Sequence, residues 1–173
     1  MSAKAFLAVL AVLAVVGLLG FGLIKKNEDA LATGEPAPQV ELANLDGSED
    51  ASLDDYAGDW VLVNFWSSWC EPCRHEAPVL QEFQDQHPHG TTVVGVDLQD
   101  VRSDAQGFID EFQLTYPQLR ARDDEETIDA FGLTGRPENV LIDPDGNVAL
   151  LRRGPVDAKY LREQVVPLIE QSR

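Results

Sequence analysis

The chain holds two cysteines, which lie three residues apart in the segment Trp69-Cys70-Glu71-Pro72-Cys73. This spacing lets the two sulfur atoms meet within one helical turn and close a small disulfide loop. Because so small a loop orders few residues, it adds little chain-entropy stabilisation, and a purely structural disulfide is disfavoured. The pair is therefore a candidate for thiol–disulfide exchange.

The cysteines directly follow a predicted strand and open a predicted helix, which gives them different roles. Free backbone N–H groups and the positive end of the helix dipole stabilise a thiolate on Cys70 and lower the pKa of Cys70 below about 8.5. Pro72 is tolerated in the first turn, where its missing N–H costs nothing. Cys70 is the expected attacking thiolate and Cys73 the expected resolving thiol. The charge of Glu71 opposes the helix dipole, and a less stabilised thiolate makes a better reductant.

The cysteine pair has alternative uses besides thiol–disulfide exchange. A zinc site needs four ligands, and the histidine pair His87 and His89 gives a C-x2-C-x13-H-x-H spacing rather than the H-x3–5-H of a zinc finger. Thiolates suit Cu(I), so a copper carrier that binds metal through Cys70 and Cys73 is the main alternative. A catalytically idle domain with a static disulfide is a third. We expect neither a cofactor nor a resident metal.

The elements that position the cysteines follow from the pattern of apolar residues. Short runs rich in β-branched residues predict buried strands at 61–66, 91–97 and 139–143. The turn signal DPDGN and the apolar run after it, 148–151, predict a hairpin and hence an antiparallel pair. Helices are expected at 72–86, 104–113, 125–131 and 158–171. This order predicts an α/β fold with a central mixed β-sheet flanked by helices on both faces.

Charge excludes some classes of partner. The chain has 173 residues, 44% of them hydrophobic, and a formal net charge of −17. Residues 1–26 contain three lysines and no acid, so residues 27–173 carry 10 positive and 30 negative charges, a net −20. Such a field repels nucleic acid, which we exclude as a partner, and also anionic lipid. Only a hydrophobic anchor would hold this domain at a membrane.

The amino-terminal segment supplies such an anchor. Residues 5–24 form an uninterrupted apolar run flanked by lysines. A helix of that length rises about 30 Å, which predicts one transmembrane helix rather than a cleaved signal peptide, whose apolar region has about 7–15 residues. The chain thus divides into a membrane anchor at 1–26, a polar linker at 27–38 and one folded domain at 39–173. The flanking lysines leave the orientation open, because long domains translocate largely regardless of charge.

Residues 61–78, VLVNFWSSWCEPCRHEAP, resemble the active-site strand and helix of thioredoxin-fold proteins. They are most similar to the membrane-anchored, extracytoplasmic TlpA/ResA/DsbE (CcmG) family of thiol–disulfide oxidoreductases. Further matching segments are GEPAP at 34–38, VVGVD at 93–97 and GRPENVLIDPDG at 135–146. The resemblance covers nearly everything after the anchor and implies a thioredoxin-like fold.

The resemblance also assigns residues around the cysteines. Pro137 matches a proline that family members hold in the cis form opposite the cysteines, where the adjoining backbone pairs with a substrate strand. Arg136 precedes that proline. With Trp69 and Pro72, these two residues are the candidate substrate-binding residues.

Glu76 is the third candidate catalytic residue. It matches the family's active-site glutamate, three residues beyond Cys73. Cytosolic thioredoxins instead place a buried aspartate six positions before the first cysteine, where this chain has Asn64. Glu76 is therefore expected to exchange the proton of Cys73, with a solvated helix-face acid as the alternative.

The family resemblance implies a reductant on the extracytoplasmic side of the cell membrane, where thiols tend to oxidise. Protein disulfides are the implied substrates, such as the Cys-x-x-Cys-His haem-attachment motif of apocytochrome c in cytochrome c-type biogenesis. A membrane thiol reductant is the implied electron donor, and we expect a monomer. Copper carriers on this fold use a wider C-x3-C spacing and a histidine near the cis-proline loop, where this chain has Arg136.

Overall fold

A computed structural model describes residues 31–46, 49–87 and 90–171, together with Leu13. Its contacts divide the chain into two units, 1–30 and 31–173. The predicted anchor, apart from Leu13, lies outside the described residues. Among those that are described, no helix combines the length and the apolar character that a bilayer crossing requires.

The second unit is built on a central β-sheet. Within the described residues the sheet has seven strands in the order β2-β1-β5-β4-β3-β6-β7. The strands are β1 (Leu42–Asn44), β2 (Asp50–Ala51), β3 (Trp60–Trp66), β4 (Thr91–Asp97), β5 (Gln118–Ala121), β6 (Glu138–Ile142) and β7 (Val148–Arg153). β3, β4 and β5 run parallel, whereas β6 pairs antiparallel with β3, and β7 with β6. The predicted mixed sheet is therefore confirmed.

β3 lies inside the sheet and is buried along its whole length. Its side chains alternate between two hydrophobic clusters, with Leu62 and Trp66 on one face and Val63 and Phe65 on the other. A strand with a parallel neighbour and both faces covered needs a nearly continuous apolar sequence, which residues 61–66 provide except at Asn64.

Helices cover both faces of the sheet. They are α1 (Glu71–Gln86), α2 (Arg102–Phe112), α3 (Asp124–Phe131), α4 (Ala158–Tyr160) and α5 (Val166–Gln171), with a 3-10 turn at Leu53–Tyr56. Side chains of α1, α2 and the carboxyl-terminal helices join the cluster that contains Leu62, and Phe131 of α3 joins the cluster that contains Val63. The first three helices match the predicted ranges to within two residues.

The carboxyl-terminal helix, expected as one element at 158–171, is divided. A π-helical turn (Leu161–Val165) separates α4 from α5. Pro167 follows that turn, and because it has no N–H it cannot donate the usual bond to the carbonyl of Glu163. The altered hydrogen-bond spacing thus lies one turn before a residue that interrupts the helical ladder.

Two short strands of the sheet were not predicted by the apolar pattern. β1 and β5 pair with each other, and β5 also pairs with β4. Both strands are short, so periodicity gives little signal. Residues 34–37, part of the predicted linker, also contact the domain, since Gly34 N donates to Val148 O at 2.7 Å and Ala37 N donates to Gly146 O at 2.9 Å.

Candidate active site

Cys70 and Cys73 are joined by a disulfide at the start of α1, with their Cα atoms 5.3 Å apart. β3 ends at Trp66, and Cys70 is the residue that caps α1, whose Cys73 N–H points to Cys70 Sγ at 3.3 Å. Both cysteines are buried, while Pro72 is exposed in the first turn. The backbone N–H at the helix start is therefore aimed at the sulfur that the sequence assigns as the attacking atom.

The cis-proline loop lies beside Trp69, the residue that precedes Cys70. The Arg136–Pro137 peptide bond is cis, as the resemblance implied. The guanidinium of Arg136 lies 5.5 Å from the centre of the Trp69 ring, a cation–π distance, and its Nη2 donates to Gln99 Oε1 at 3.0 Å. Trp69 is 61% exposed although it is a large aromatic residue. Trp69 and Arg136, which are distant in sequence, thus meet beside the disulfide.

Glu76 is buried one helical turn beyond Cys73, on the same inward face of α1. Its side chain is 1% exposed. Asn64 Nδ2 donates to Oε1 at 2.7 Å, whereas Val156 N and Asn139 Nδ2 donate to Oε2 at 3.0 and 3.2 Å. Burial raises the pKa of Glu76 from 4.5 to about 7, and these three hydrogen bonds oppose the rise. A carboxyl group with this pKa can take up or release a proton at neutral pH.

Asn139 is a member of this network that the sequence did not reveal. It lies on β6 directly opposite Asn64 of β3, and Asn64 Nδ2 also donates to Asn139 Oδ1 at 3.0 Å. The position of Asn139 opposite Asn64 depends on the antiparallel register of two strands more than 70 residues apart. No local motif in the sequence predicts that register.

A second buried acid, Asp97, also lies outside the predicted site. It ends β4, is 0% exposed, and has Arg120 Nη1 3.5 Å from its Oδ2. Burial raises the pKa of Asp97 to about 7, the nearby charges of Asp100 and Asp124 add to the rise, and Arg120 opposes it. Its place at the carboxyl end of a buried parallel strand was the available signal, since ligand and active sites collect there in α/β sheets.

The charge of Glu71, inside the motif, lies in a position where it has little effect on Cys70. Its side chain is 75% exposed, and its Oε1 lies 3.7 Å from Nε2 of the equally exposed His75. Solvent and counterions screen a charge in that position. The expected effect of Glu71 on Cys70 is therefore small.

The histidines do not form a metal site in the described part of the chain. His87 Nδ1 lies 2.9 Å from Phe83 O, and its ring stacks on the Phe83 ring. Pro88 and His89 lie outside the described residues. Among the residues that are described, no group of three or more His, Cys, Asp or Glu side chains is placed to hold a metal ion.

Comparison with known proteins agrees with this geometry. The sequence model of the AhpC/TSA family matches residues 33–151, more than half of the chain. The chain belongs to the AhpC/TSA family. Within this thioredoxin-like family, the relatives that follow carry names of thiol–disulfide enzymes.

Two relatives of this AhpC/TSA protein cover most of its length. The Thiol:disulfide interchange protein DsbE homolog of Paracoccus denitrificans is 33% identical over 99% of this chain and 96% of the relative. The Thiol-disulfide oxidoreductase ResA of Geobacillus thermodenitrificans is 31% identical over 79% of this chain and 78% of the relative. The crystal structure of a thiol:disulfide interchange protein DsbE from Chlorobium tepidum, 29% identical, superposes with a TM-score of 0.72 over 80% of this chain and 99% of that chain.

These findings confirm the thioredoxin-like fold and identify this AhpC/TSA-family member as a thiol–disulfide oxidoreductase. The cysteine pair, Trp69 and the cis-proline loop are at one site, and Glu76 lies behind the second cysteine. The individual roles of Glu76, Trp69, Pro72, Arg136 and Pro137 stay predictions. The copper-carrier alternative is not favoured, because the relatives are named for disulfide chemistry.

Proposed function

We propose that this thiol–disulfide oxidoreductase is a reductant of client protein disulfides on the extracytoplasmic side of the cell membrane. The apolar run at 5–24 is its anchor, and a membrane thiol reductant restores its dithiol. The Cys-x-x-Cys-His motif of apocytochrome c is the proposed client, on the basis of the resemblance to the TlpA/ResA/DsbE family. The observation that carries the proposal is a buried carboxyl group of near-neutral pKa, Glu76, one helical turn from Cys73.

The reaction begins from the reduced protein. The Cys70 thiolate attacks one sulfur of the client disulfide, and a mixed disulfide forms while the other client sulfur leaves and takes up a proton. Cys73 then loses its proton and attacks Cys70 Sγ, which closes the Cys70–Cys73 disulfide and releases the second client sulfur. Two electrons pass from the protein to the client, whose sulfurs both end as thiols.

Glu76 supports the second half of this reaction. Cys73 is buried, so water does not readily accept its proton. The ionised carboxylate of Glu76, held by three N–H donors one helical turn from Cys73, is the proposed acceptor. A group whose pKa is about 7 matches this task, because it is largely ionised above neutrality and still basic enough to accept the proton.

The client is expected to enter beside Trp69 and Arg136. The exposed ring of Trp69 offers apolar area next to the buried Cys70 sulfur, and Arg136 packs over that ring. The Pro137 carbonyl accepts from Gly154 N at 2.9 Å, which fixes the loop behind the proline. The client backbone is thus expected to pair with the residues that precede Pro137.

Trapping the mixed disulfide tests the proposal. Cys73→Ser keeps the attacking thiol and removes the resolving thiol, so it should accumulate a covalent adduct with insulin and with a Cys-x-x-Cys-His peptide in its disulfide form. Cys70→Ser is the matched control and should form no adduct and reduce neither substrate. If Cys70→Ser reduces insulin at the wild-type rate, the assignment of these cysteines is wrong.

Location needs a separate measurement. An impermeant thiol reagent, applied to intact cells after external reduction, should label Cys70 if the domain faces outward. Lysed cells provide the control for total reactive thiol. Labelling only after lysis would contradict the proposed orientation.

A further inference from the structure

The three residues that precede Cys70 are all bonded to one loop, the loop 98–101, which follows β4 and which we call the rim loop. Ser67 Oγ donates to Leu98 O at 2.6 Å, and Trp69 Nε1 donates to Gln99 O at 3.2 Å. Between them, Ser68 donates its backbone N–H and its hydroxyl to the Asp100 carboxylate, at 2.5 and 2.9 Å. The rim loop thus fixes the chain segment 67–69, which leads into Cys70.

The rim loop is in turn held from the rest of the fold. Arg120 of β5 donates through Nη2 to Asp100 O and places Nη1 3.5 Å from the buried Asp97 carboxylate. Gln99 has a φ of 53°, in the left-handed region that a residue with a side chain rarely adopts. Such a conformation persists when surrounding contacts determine it, and Gln99 has contacts to both Trp69 and Arg136.

Asp100 is the charged member of the rim loop. Its carboxylate accepts from Ser68 N, Ser68 Oγ and Val101 N, which together orient it against the backbone two residues before Cys70. A negative charge at this place opposes the helix-start N–H groups that stabilise a Cys70 thiolate. Unlike the exposed Glu71, Asp100 is partly buried and fixed by hydrogen bonds, so solvent screens it less.

We propose that Asp100 is a positioning residue of the exchange reaction, which fixes the segment before Cys70 and, through its charge, disfavours the Cys70 thiolate and makes the dithiol a stronger reductant. This inference rests on the proposed reductant function. The other charged groups around Asp100 are Asp97 on β4, Arg120 on β5, Asp124 at the start of α3 and Arg136 on the cis-proline loop. When ionised, Asp97 and Asp124 carry the same sign of charge as Asp100, whereas the two arginines offset part of that charge.

Two substitutions separate position from charge. Asp100→Asn removes the charge, yet its amide can still accept from Ser68 N through oxygen and donate to Ser68 Oγ through nitrogen. Only the local hydrogen bond from Val101 N, which shares an oxygen with Ser68 Oγ, is lost. Asp100→Ala removes both the charge and the hydrogen bonds. Ser68→Ala is the matched control, because it loses one hydrogen bond and leaves the carboxylate and its backbone contact in place.

The test is carried out on the reduced full chain in a non-ionic detergent. The pKa of Cys70 is read from the rate of iodoacetamide alkylation across pH 4 to 9, the glutathione equilibrium gives the redox position, and insulin gives the reduction rate. We expect Asp100→Asn to lower the pKa of Cys70 by about half a unit, so that alkylation below this pKa is about threefold faster. Its glutathione equilibrium should move toward the dithiol by a similar factor. Asp100→Ala should share the lower pKa and also reduce insulin about tenfold more slowly, since misplaced reacting groups lose rate.

The outcomes are decisive in either direction. If neither variant changes the pKa of Cys70, the proposal is overturned, and a lower melting temperature alone would mark Asp100 as merely structural. A pKa change in Ser68→Ala equal to that in Asp100→Asn would overturn the role of the charge. If Asp100→Ala does not fold, Asp100→Asn alone decides. A wild-type protein that fails to reduce insulin contradicts the proposed function instead.

Discussion

The buried carboxyl of Glu76 makes the stability of the oxidised protein depend on pH in a way that one substitution should remove. The pKa of Glu76 is raised from the ordinary 4.5 to about 7. Between these values the folded state binds a proton that the unfolded state does not, so stability is complete below pH 4.5 and is lost as the pH rises through about 7. At about 1.36 kcal/mol per pKa unit, the loss is about 3 kcal/mol, most of it between pH 5 and pH 8.

Glu76→Gln keeps the size of the side chain and cannot ionise. Its amide oxygen can still accept from Val156 N and Asn139 Nδ2, but its NH2 group then faces the donor Asn64 Nδ2, which lowers stability by an amount that does not depend on pH. We therefore expect the wild-type protein to lose about 2.5 kcal/mol more than Glu76→Gln between pH 5 and pH 8. The slope with pH, rather than the absolute stability, is the relevant quantity.

Urea unfolding of the oxidised full chain in detergent, followed by tryptophan fluorescence at several pH values, measures this difference. The oxidised form is used because its cysteines do not titrate. Glu82→Gln, an exposed change on the same helix, is the control and should follow the wild-type pH dependence. If wild type and Glu76→Gln give parallel curves, Glu76 ionises at its ordinary pKa and cannot serve as the proposed proton acceptor.

Three further changes should have defined effects. The pKa of Asp97 is raised from 3.8 to about 7, so the wild-type protein should lose about 4 kcal/mol of stability as the pH rises through about 7, and Asp97→Asn should remove that loss. The same urea series measures the difference, and an unchanged slope would contradict the raised pKa. Asn139→Ala removes a donor to the carboxylate and should raise the pKa of Glu76 further, as read from its carboxyl carbon shift by NMR, whereas an unchanged titration would assign the stabilisation to the other donors. Gly95→Ala should destabilise the fold by about 1–3 kcal/mol, because the added carbon would lie 2.1 Å from Gln118 Oε1; a wild-type melting curve would show that this side chain moves aside freely.

The elements that the sequence predicts correctly are those whose apolar pattern lies within their own residues. The buried strands β3, β4 and β6 and helices α1 to α3 were predictable because each depends on an apolar pattern within its own residues. β1 and β5 were not, since strands of three and four residues have too little periodicity and are held by partners far along the chain. The division of the last helix follows Pro167, whose effect depends on local backbone bonding.

The candidate site divides in the same way. Two cysteines three apart after a buried strand, and an acid one turn later, are local features, so the sequence alone determined the redox centre and its candidate proton acceptor. Only the tertiary structure decided what surrounds them. The Asn139 amide on Glu76, the Asp100 carboxylate on Ser68 and the burial of Asp97 depend on strand register and loop contacts between distant residues. The pKa of a carboxyl group is set by such desolvation and by such neighbours, and a linear pattern of residue types does not contain them.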